Sequence, residues 1–168
     1  FRSMKEAQRC YDRFDRTICV SQTVQSNFAS LFDLGVAPEV LYNTVESKEI
    51  MEKSKEEIKP VFNKAEINLI AAGSLKPVKA FDRLIRIQKR LREQSLPTHL
   101  YLLGRGPDYE ELDHLAKELG VAETVTFLGY QTNPYKYVAK SDLFLCSSIS
   151  EGFSTAATEA LIVGTPVC

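Results

Sequence analysis

The sequence predicts an α/β domain built on a Rossmann-like parallel sheet, with helices packed on both faces. Short runs of β-branched and other apolar residues alternate with longer stretches of helical periodicity, which is the pattern of repeated βα units. Three of the loops that follow these runs begin with glycine, where a strand would turn toward a helix. The 168 residues suffice for one globular domain with part of another.

The amino-terminal part of the chain contains two short predicted strands and one helix. The run 17–20 predicts a strand, and Ser21 after it is a suitable N-cap for an amphipathic helix that Gly35 ends. A second strand is predicted at 39–42. The segment 46–59 is rich in Glu and Lys and poor in large apolar residues, which favours a solvated helix or a linker.

The rest of the chain repeats one unit, a buried strand followed by a turn and an amphipathic helix. The predicted strands are 67–72, 99–103, 125–128, 142–146 and 165–168. The predicted helices follow Lys79, Pro107, Asn133 and Ser154, and apolar residues recur along the longer ones at intervals of three and four. Gly120 is a suitable C-cap for the second of these helices.

The composition argues against several classes of protein. The net charge is −1, from 21 basic and 22 acidic side chains, so the chain lacks the excess of Lys and Arg that nucleic-acid binding requires. Its apolar runs fall far short of the ~20 residues of a membrane helix, and its first residues lack the apolar core of a secretory signal. We therefore expect no nucleic-acid partner, no membrane span and a cytoplasmic location.

The residue types that bind metals or form disulfides are scattered along the chain. The four cysteines are Cys10, Cys19, Cys146 and Cys168, and they form no C-x-x-C pair. His99 and His114 have no Cys or His at ligand spacing. We therefore expect reduced, structural cysteines, structural histidines and no metal site.

Ligands of an open parallel sheet bind beyond the carboxyl ends of its strands, where loops and helix N-termini converge. This rule selects the loops 73–79, 104–107, 129–133 and 147–154. Glycine at a strand end allows positive φ and lets a ligand approach the backbone. Tight turns need glycine as well, so any single glycine in these loops favours a structural role over a functional one.

Two carboxylates flank the start of the last predicted helix. Glu151 lies in the preceding loop and Glu159 in the helix, and the backbone from Gly152 to Thr155 could hold phosphate oxygens at the helix N-terminus. An ionised carboxylate accepts hydrogen bonds and therefore suits sugar hydroxyls. The alternative is that both are solvated surface charges, but the apolar sequence around Glu159 argues for a partner.

Lys79 stands just after the first of the selected strand ends. There its amine could neutralise a diphosphate as a point charge. The alternative is a lysine exposed at a helix start.

Five stretches of the sequence, in register, resemble the retaining glycosyltransferases of family 4, also described as glycosyl transferases group 1. EGFSTAATEAL at 151–161 is similar to the E-x7-E motif of that family, and AGSLKPVKAFD at 72–82 to its G-R-L-x-x-x-K-G-F-D turn. LGRGP at 103–107 resembles the G-x-G-P loop, FLG at 127–129 the F-x-G strand end, and GTPV at 164–167 the G-x-P-V step.

The resemblance implies the GT-B fold, of which this chain would be the nucleotide-sugar-binding half. Residues 1–46 would be the end of the acceptor-side domain and the interdomain linker, and residues 47–168 the donor-binding domain, truncated at its C-terminus. The full enzyme would be longer, and we expect this length of chain alone to be inactive.

The resemblance also assigns roles to residues. Glu159 would hold the ribose hydroxyls, Glu151 would contact hydroxyls of the transferred sugar, and Lys79 would bind the diphosphate. Lys79 and Glu151 are thus the predicted catalytic residues. The other predicted donor-binding residues lie in the four loops and at the start of the last helix: Gly73, Ser74, Gly104, Arg105, Gly106, Gly129, Tyr130, Gly152, Phe153, Ser154 and Thr155. Of these, Gly129 and Tyr130 would border the base.

Two positions depart from the family pattern. The family usually has Arg in place of Ser74 and Gly in place of Ala80. Serine supplies no cationic fork, so charge compensation at the diphosphate would rest on Lys79 alone, on Lys76, or on Arg105 reaching across.

The resemblance implies transfer of a sugar from a nucleotide-diphosphate donor to an acceptor hydroxyl with retention, without a metal cofactor. A UDP-sugar is favoured over a GDP-sugar. The product would be a surface polysaccharide or lipopolysaccharide, made from a glycan or lipid-linked acceptor reached through the other domain. Peripheral association of the full enzyme with the inner membrane face is one option.

Two alternatives to a glycosyltransferase stay open. One is a non-catalytic nucleotide-binding or interaction domain, which Ser74 favours. The other is a nucleotide-sugar epimerase of related fold, although no acid/base residues for that reaction are found.

Overall fold

The computed structural model describes residues 3–58 and 61–168, and the chain divides into two compact units. One contains the residues up to Thr44 together with Glu151–Ser154, and the other contains Val45–Ser150 and Thr155–Cys168. The functional division between residues 46 and 47 stays a prediction. Across the described ranges, every helix is too short or too polar to traverse a bilayer.

The first unit is built from two helices and two short strands. These are α1 (Met4–Tyr11), β1 (Ile18–Cys19), α2 (Gln22–Leu31) and β2 (Glu39–Val40). The two strands pair in parallel. The Ser21 hydroxyl accepts a hydrogen bond from the backbone N–H of Val24 at 3.2 Å, which confirms the predicted N-cap of α2.

Helix α2 ends earlier than the sequence predicts. Phe32 leaves the helix with extended backbone, at φ −128° and ψ 131°. Its ring packs against the rings of Tyr11 and Phe28, with centroids 4.8 and 4.6 Å away. The prediction that Gly35 ends the helix is therefore wrong, and the aromatic cluster accounts for the earlier exit of the chain.

The second unit contains a parallel sheet, as predicted, but with four strands in place of the five predicted. They are β3 (Ile67–Ala72), β4 (Thr98–Leu103), β5 (Val125–Gly129) and β6 (Leu143–Phe144), in the spatial order β5-β4-β3-β6. Residues 165–168 contribute one parallel bridge, between Val167 and Phe144, rather than the full strand predicted there. Leu102 lies opposite Phe127 and Leu103 opposite Gly129, so Leu128 is an extra residue in the register of β5.

Helices cover both faces of this sheet, which confirms the predicted layers. The helices of this unit are α3 (Ser47–Ser54), α4 (Phe81–Glu93), α5 (Tyr109–Glu118), α6 (Tyr135–Val138) and α7 (Thr155–Ile162), of which α4 to α7 contribute residues to the cores on the sheet. Alternate residues of β4 point to opposite sides, so Leu100 and Leu102 pack with α4 and α5, while Tyr101 and Leu103 pack with α6 and α7.

The charged segment predicted as a solvated helix or linker forms α3. Ile50 is buried, and the Lys53 carbonyl accepts a hydrogen bond from Asn133 Nδ2 at 2.9 Å. Lys136 Nζ lies 3.2 Å from the Glu56 carboxylate. Helix α3 is therefore attached to α6 and is not a free linker. Lys59, the last residue of the predicted segment, lies outside the described residues.

One of the two histidines expected to be structural, His99, sits among polar and aromatic neighbours near the start of β4. Its Nε2 lies 2.8 Å from Thr126 Oγ1, and its ring stacks on Tyr101 at 4.5 Å. Burial lowers the pKa of the imidazole, although the nearby Glu66 carboxylate opposes this shift. These contacts are those of a structural histidine.

Candidate functional site

A cavity of about 330 Å³ opens at the carboxyl ends of β3, β4 and β5. This is the position where open parallel sheets bind ligands. Its volume is within the usual range of small-molecule sites. The lining comes from the last residues of these strands and the loops after them: Ala72, Gly73, Ser74, Leu103, Gly104, Arg105, Tyr130, Gln131 and Pro134. The structure thus brings together five predicted site residues from three separate loops.

Two glycines of the predicted site are required by close backbone packing. At Gly104, where φ is +141°, a Cβ atom would lie 1.8 Å from the carbonyl oxygen of Gly73. At Gly106 it would lie 2.1 Å from the carbonyl oxygen of Leu75. Backbone packing is therefore sufficient to account for these two glycines, and their ligand-binding role stays a prediction.

Backbone hydrogen bonds fix the three strand ends relative to one another. The N–H of Gly73 donates to Leu103 O at 2.9 Å, and the N–H of Gly104 donates to Gly129 O at 2.8 Å. Gly129 has φ +68°, and a Cβ atom there would meet nothing within 4 Å. The floor of the cavity is therefore a rigid set of main-chain groups.

Arg105 and Tyr130 face each other at the rim of the cavity. The guanidinium carbon lies 4.9 Å from the centroid of the tyrosine ring, within the range of a cation–π contact. Tyr130 is 62% exposed. A flat ring and a flat cation are therefore available at an open rim, where both could contact a planar ligand group.

The side chain of Lys79 lies beside the end of β3. A Cβ atom added at Gly73 would lie 3.4 Å from Lys79 Cε, so the lysine stem passes beside a residue that lines the cavity. Lys79 ends a short 3₁₀ turn, Pro77–Lys79. Its carbonyl accepts a hydrogen bond from the Ser147 hydroxyl at 2.7 Å, and Val78 O accepts one from Ile149 N at 2.9 Å. The turn that carries the lysine is thus attached to the loop 147–150.

The residue after Lys79, Ala80, has left-handed backbone at φ 49° and ψ 44°. This is the position where the family pattern has glycine. An L-residue is disfavoured in this conformation, because its Cβ approaches the following carbonyl oxygen.

Glu159 lies in the second turn of α7 and is half-buried. The hydroxyl of Tyr135 donates a hydrogen bond to its Oε1 at 3.3 Å. Burial raises the pKa of the Glu159 carboxyl, and the tyrosine hydrogen bond acts in the opposite direction. Tyr135 follows Pro134, which lines the cavity. The polar partner predicted for Glu159 is therefore present.

Four of the predicted site residues belong to the first unit: Glu151, Gly152, Phe153 and Ser154. There a Cβ atom added at Gly152 would lie 3.1 Å from Val20 Cγ2 and 3.2 Å from Val24 Cγ2. Thr155, the next residue, begins α7 in the second unit. The roles of these five residues toward a donor stay predictions.

Sequence reasoning missed several residues that the structure places at the site. Ala72 and Leu103 end their strands and could have been found from the strand-end rule alone. Gln131 lies in the loop 129–133 that the same rule selects, but was not singled out within it. Tyr135, which follows the lining residue Pro134, carries no signal of that kind, because the first residue of a short helix fits many surroundings. In the described part of the chain, no group of three or more His, Cys, Asp or Glu side chains is arranged to hold a metal ion.

A larger cavity, of about 630 Å³, lies at the edge of the same sheet and differs in chemistry. It is lined mainly by leucine and isoleucine side chains of β3, α4 and β6, and Arg83 is the one charged side chain among its described lining residues. The smaller cavity is the better candidate for a polar ligand, because main-chain groups and polar side chains converge on it.

Comparison with known proteins connects this geometry to one family. The family model described as glycosyl transferases group 1 matches residues 52–168. A protein of Campylobacter jejuni is 38% identical over 125 residues, covering 73% of this chain and 32% of the relative. Its name is N-acetylgalactosamine-N,N'-diacetylbacillosaminyl-diphospho-undecaprenol 4-alpha-N-acetylgalactosaminyltransferase. A lipopolysaccharide core biosynthesis glycosyltransferase of Rhizobium meliloti, LpsD, is 34% identical over 98 residues, covering 58% of this chain and 27% of LpsD.

Solved structures show the same fold at lower identity. TarM of S. aureus, solved with UDP and saccharide ligands, superposes with a TM-score of 0.81 over 99% of this chain and 32% of TarM, at 18% identity. HepE of Anabaena, solved with UDP and glucose, gives a TM-score of 0.79 over 98% of this chain and 47% of HepE, at 22% identity. The predicted α/β fold, that of one half of a GT-B enzyme, is therefore confirmed. The chain spans about a third of the length of the two sequence relatives described above.

Proposed function

The chain belongs to the glycosyl transferases group 1 family, and we propose that it is the donor-binding part of such an enzyme. The enzyme would move a sugar from a nucleotide-diphosphate donor to an acceptor hydroxyl, with retention at the anomeric carbon. The observation that carries this proposal is the cavity of about 330 Å³ at the carboxyl ends of three parallel strands. Nucleotides bind open α/β sheets at this end.

The predicted site residues suit the parts of a nucleotide-sugar, and two of those used here, Arg105 and Tyr130, line the cavity. Glu159 would accept hydrogen bonds from the ribose hydroxyls, and Gly129 and Tyr130 would border the base. Lys79 would bind the diphosphate. Arg105, at the rim, would supply the second positive charge that Ser74 cannot provide.

The reaction requires stabilisation of the leaving group. Departure of the nucleoside diphosphate develops negative charge on its β-phosphate while the sugar becomes oxocarbenium-like. Fixed positive charge beside the phosphate lowers this barrier, and we assign that role to Lys79. Glu151 would contact hydroxyls of the transferred sugar. With lysine and arginine at the diphosphate, we expect the donor to bind without a divalent cation.

We propose a UDP-sugar as the donor and a surface glycan as the product. Support for uracil comes from TarM and HepE, which were both solved with UDP. Support for the product comes from LpsD, which is named for lipopolysaccharide core biosynthesis. The acceptor would be a glycan or a lipid-linked saccharide held by a further domain, at the cytoplasmic face of the membrane.

Titration calorimetry of the chain with UDP, GDP and ADP in the presence of EDTA tests donor binding. We expect UDP to bind most tightly and Lys79→Ala to weaken it by about 10–100-fold, the effect of losing a charged hydrogen bond. Uridine, which has no diphosphate, should bind the wild-type chain and Lys79→Ala with equal affinity. As a matched control, Lys89→Ala removes a lysine of α4 that pairs with Glu93, and it should bind UDP normally. Failure to bind any nucleotide would overturn the proposal and favour a non-catalytic interaction domain.

The transfer reaction itself requires a form of the protein that includes the acceptor-binding part. In that form, Lys79→Ala should slow transfer from a saturating UDP-sugar by about 100-fold or more, the usual effect of removing one group that stabilises the transition state. Equal turnover of the two forms would exclude the catalytic role of Lys79.

A further inference from the structure

The contact between Tyr135 and Glu159 joins two elements that are separate in sequence. Tyr135 is the first residue of α6, and Glu159 lies in the second turn of α7. The tyrosine hydroxyl is 3.3 Å from Oε1 of the carboxylate. Both side chains are half-buried. The hydrogen bond therefore constrains a carboxylate that is shielded from much of the solvent.

Hydrogen bonds fix the turn that carries Tyr135. Pro134 begins the turn, and its carbonyl accepts hydrogen bonds from Tyr137 N at 3.0 Å and Val138 N at 3.1 Å. Just before it, Asn133 is buried and donates to the Lys53 carbonyl of α3. Tyr135 thus follows a residue that is held by a hydrogen bond to helix α3.

The hydrogen bond leaves Glu159 able to bind a ligand. The O···O separation of 3.3 Å is longer than the about 2.8 Å typical of such bonds, so the phenol makes a weak hydrogen bond to one carboxylate oxygen, Oε1. A carboxylate has about four lone-pair sites, and Tyr135 uses one of them. The remaining acceptors can receive two hydroxyl donors on neighbouring carbons.

A glutamate side chain that is free to rotate loses conformational entropy when it binds a ligand, and a partner that orients it beforehand reduces this loss. We propose that Tyr135 is a positioning residue, which orients the Glu159 carboxylate toward the vicinal diol of a ribose. It thereby sets the preference of the site for a ribonucleotide. This inference rests on the proposed function, because it requires a nucleotide in the cavity.

The test compares UDP with 2′,3′-dideoxy-UDP, which lacks both ribose hydroxyls. We expect the wild-type chain to bind UDP about 100-fold more tightly, the effect of hydrogen bonds to a charged group. Tyr135→Phe keeps the ring and removes the hydroxyl. It should reduce the preference about 5–10-fold by weakening UDP binding, while the affinity for the dideoxy analogue stays the same.

Two further variants make the result specific. Glu159→Gln should remove most of the preference, and adding Tyr135→Phe to it should have little further effect, because the tyrosine acts through the carboxylate. Tyr109→Phe removes an equally small group from a tyrosine of α5 whose ring packs on Phe127, and it should leave the preference unchanged.

The outcomes separate this inference from the proposed function. Equal weakening of both nucleotides by Tyr135→Phe, or no change in the preference, would overturn the positioning role. If Glu159→Gln abolishes the preference while Tyr135→Phe does not affect it, only the positioning role fails. If the wild-type chain binds neither nucleotide, both the proposed function and the positioning role fail.

Discussion

Ala80 holds a backbone conformation that usually belongs to glycine. It lies at φ 49° and is 3% exposed, immediately before α4 and after the lysine assigned to the diphosphate. The left-handed region costs an L-residue roughly 1–2 kcal/mol. The sequence already showed the departure from the family's glycine, but not that the backbone keeps the conformation which favours glycine.

Replacing Ala80 with glycine should relieve this strain. Ala116 provides the matched control, because it is also a buried alanine, 1% exposed, but lies inside helix α5. Each substitution removes one buried methyl group, so the difference between the two variants in free energy of unfolding reflects the backbone conformation. We expect Ala80→Gly to be more stable than Ala116→Gly by about 2 kcal/mol, from relieved strain at one site and lost helix propensity at the other. Urea denaturation measures the free energy of unfolding of both variants, and an equal change in the two would contradict the role of backbone strain.

At the scale of elements, the close approach of the loops after β3 and β4 organises the site. The carbonyl of Gly73 occupies the place where a Cβ of residue 104 would be. Any side chain at position 104 must therefore displace the end of one strand. Both the shape of the cavity and the packing of β3 on β4 therefore depend on residue 104 having no Cβ atom.

Gly104→Ala should consequently destabilise the second unit by about 3 kcal/mol or more, since the overlap is with backbone. Gly120→Ala is the control: Gly120 also has positive φ, at +70°, but a Cβ there would meet nothing within 4 Å. It should cost only about 1 kcal/mol, from the backbone conformation alone. Thermal unfolding followed by circular dichroism compares the two, and similar melting temperatures would show that the backbone yields at position 104.

The strands that the sequence predicts best are those buried on both faces. The bounds of β3 match the prediction, because a short and largely apolar run between a charged residue and a glycine is typical of a buried parallel strand. The end of α2 is missed because contacts among Phe32, Tyr11 and Phe28 decide it, and contacts of this kind leave no periodic pattern in the sequence.

The candidate site likewise contains residues that a sequence rule predicts and a contact that only the structure shows. The strand-end rule finds Gly73, Ser74, Gly104, Arg105 and Tyr130, which line one cavity. The Tyr135–Glu159 hydrogen bond joins residues 24 positions apart, and its existence depends on how α6 and α7 lie on the sheet. Only the three-dimensional packing shows it.

For the whole molecule, the grouping of residues 151–154 with the first unit is the feature that the sequence reveals least. The stretch EGFS at 151–154 continues without a break into the sequence of α7, yet these residues group with the first unit. The local sequence gives no sign of this, because the grouping rests on contacts with residues that are distant in sequence, such as those of Gly152 with Val20 and Val24.

The cysteines provide a test of the whole chain in solution. Cys19 is 4% exposed, whereas Cys146 and Cys168 are exposed and Cys10 is intermediate. Reaction of the native chain with Ellman's reagent should modify Cys146 and Cys168 rapidly and Cys19 only after unfolding. Cys146→Ser should remove one equivalent from the rapid phase. A rapid reaction of Cys19, identified by mass spectrometry, would contradict the packing of the first unit.

The extra residue Leu128 in the register of β5 bears on how a binding site of this kind can diverge. Gly129 already lies opposite Leu103, so a chain without Leu128 would lose the bulge and keep the pairing on either side of it. Tyr130 would therefore keep its place at the rim of the cavity. A bulge just before a binding loop thus allows the strand to gain or lose one residue in evolution without moving the residues that contact a ligand.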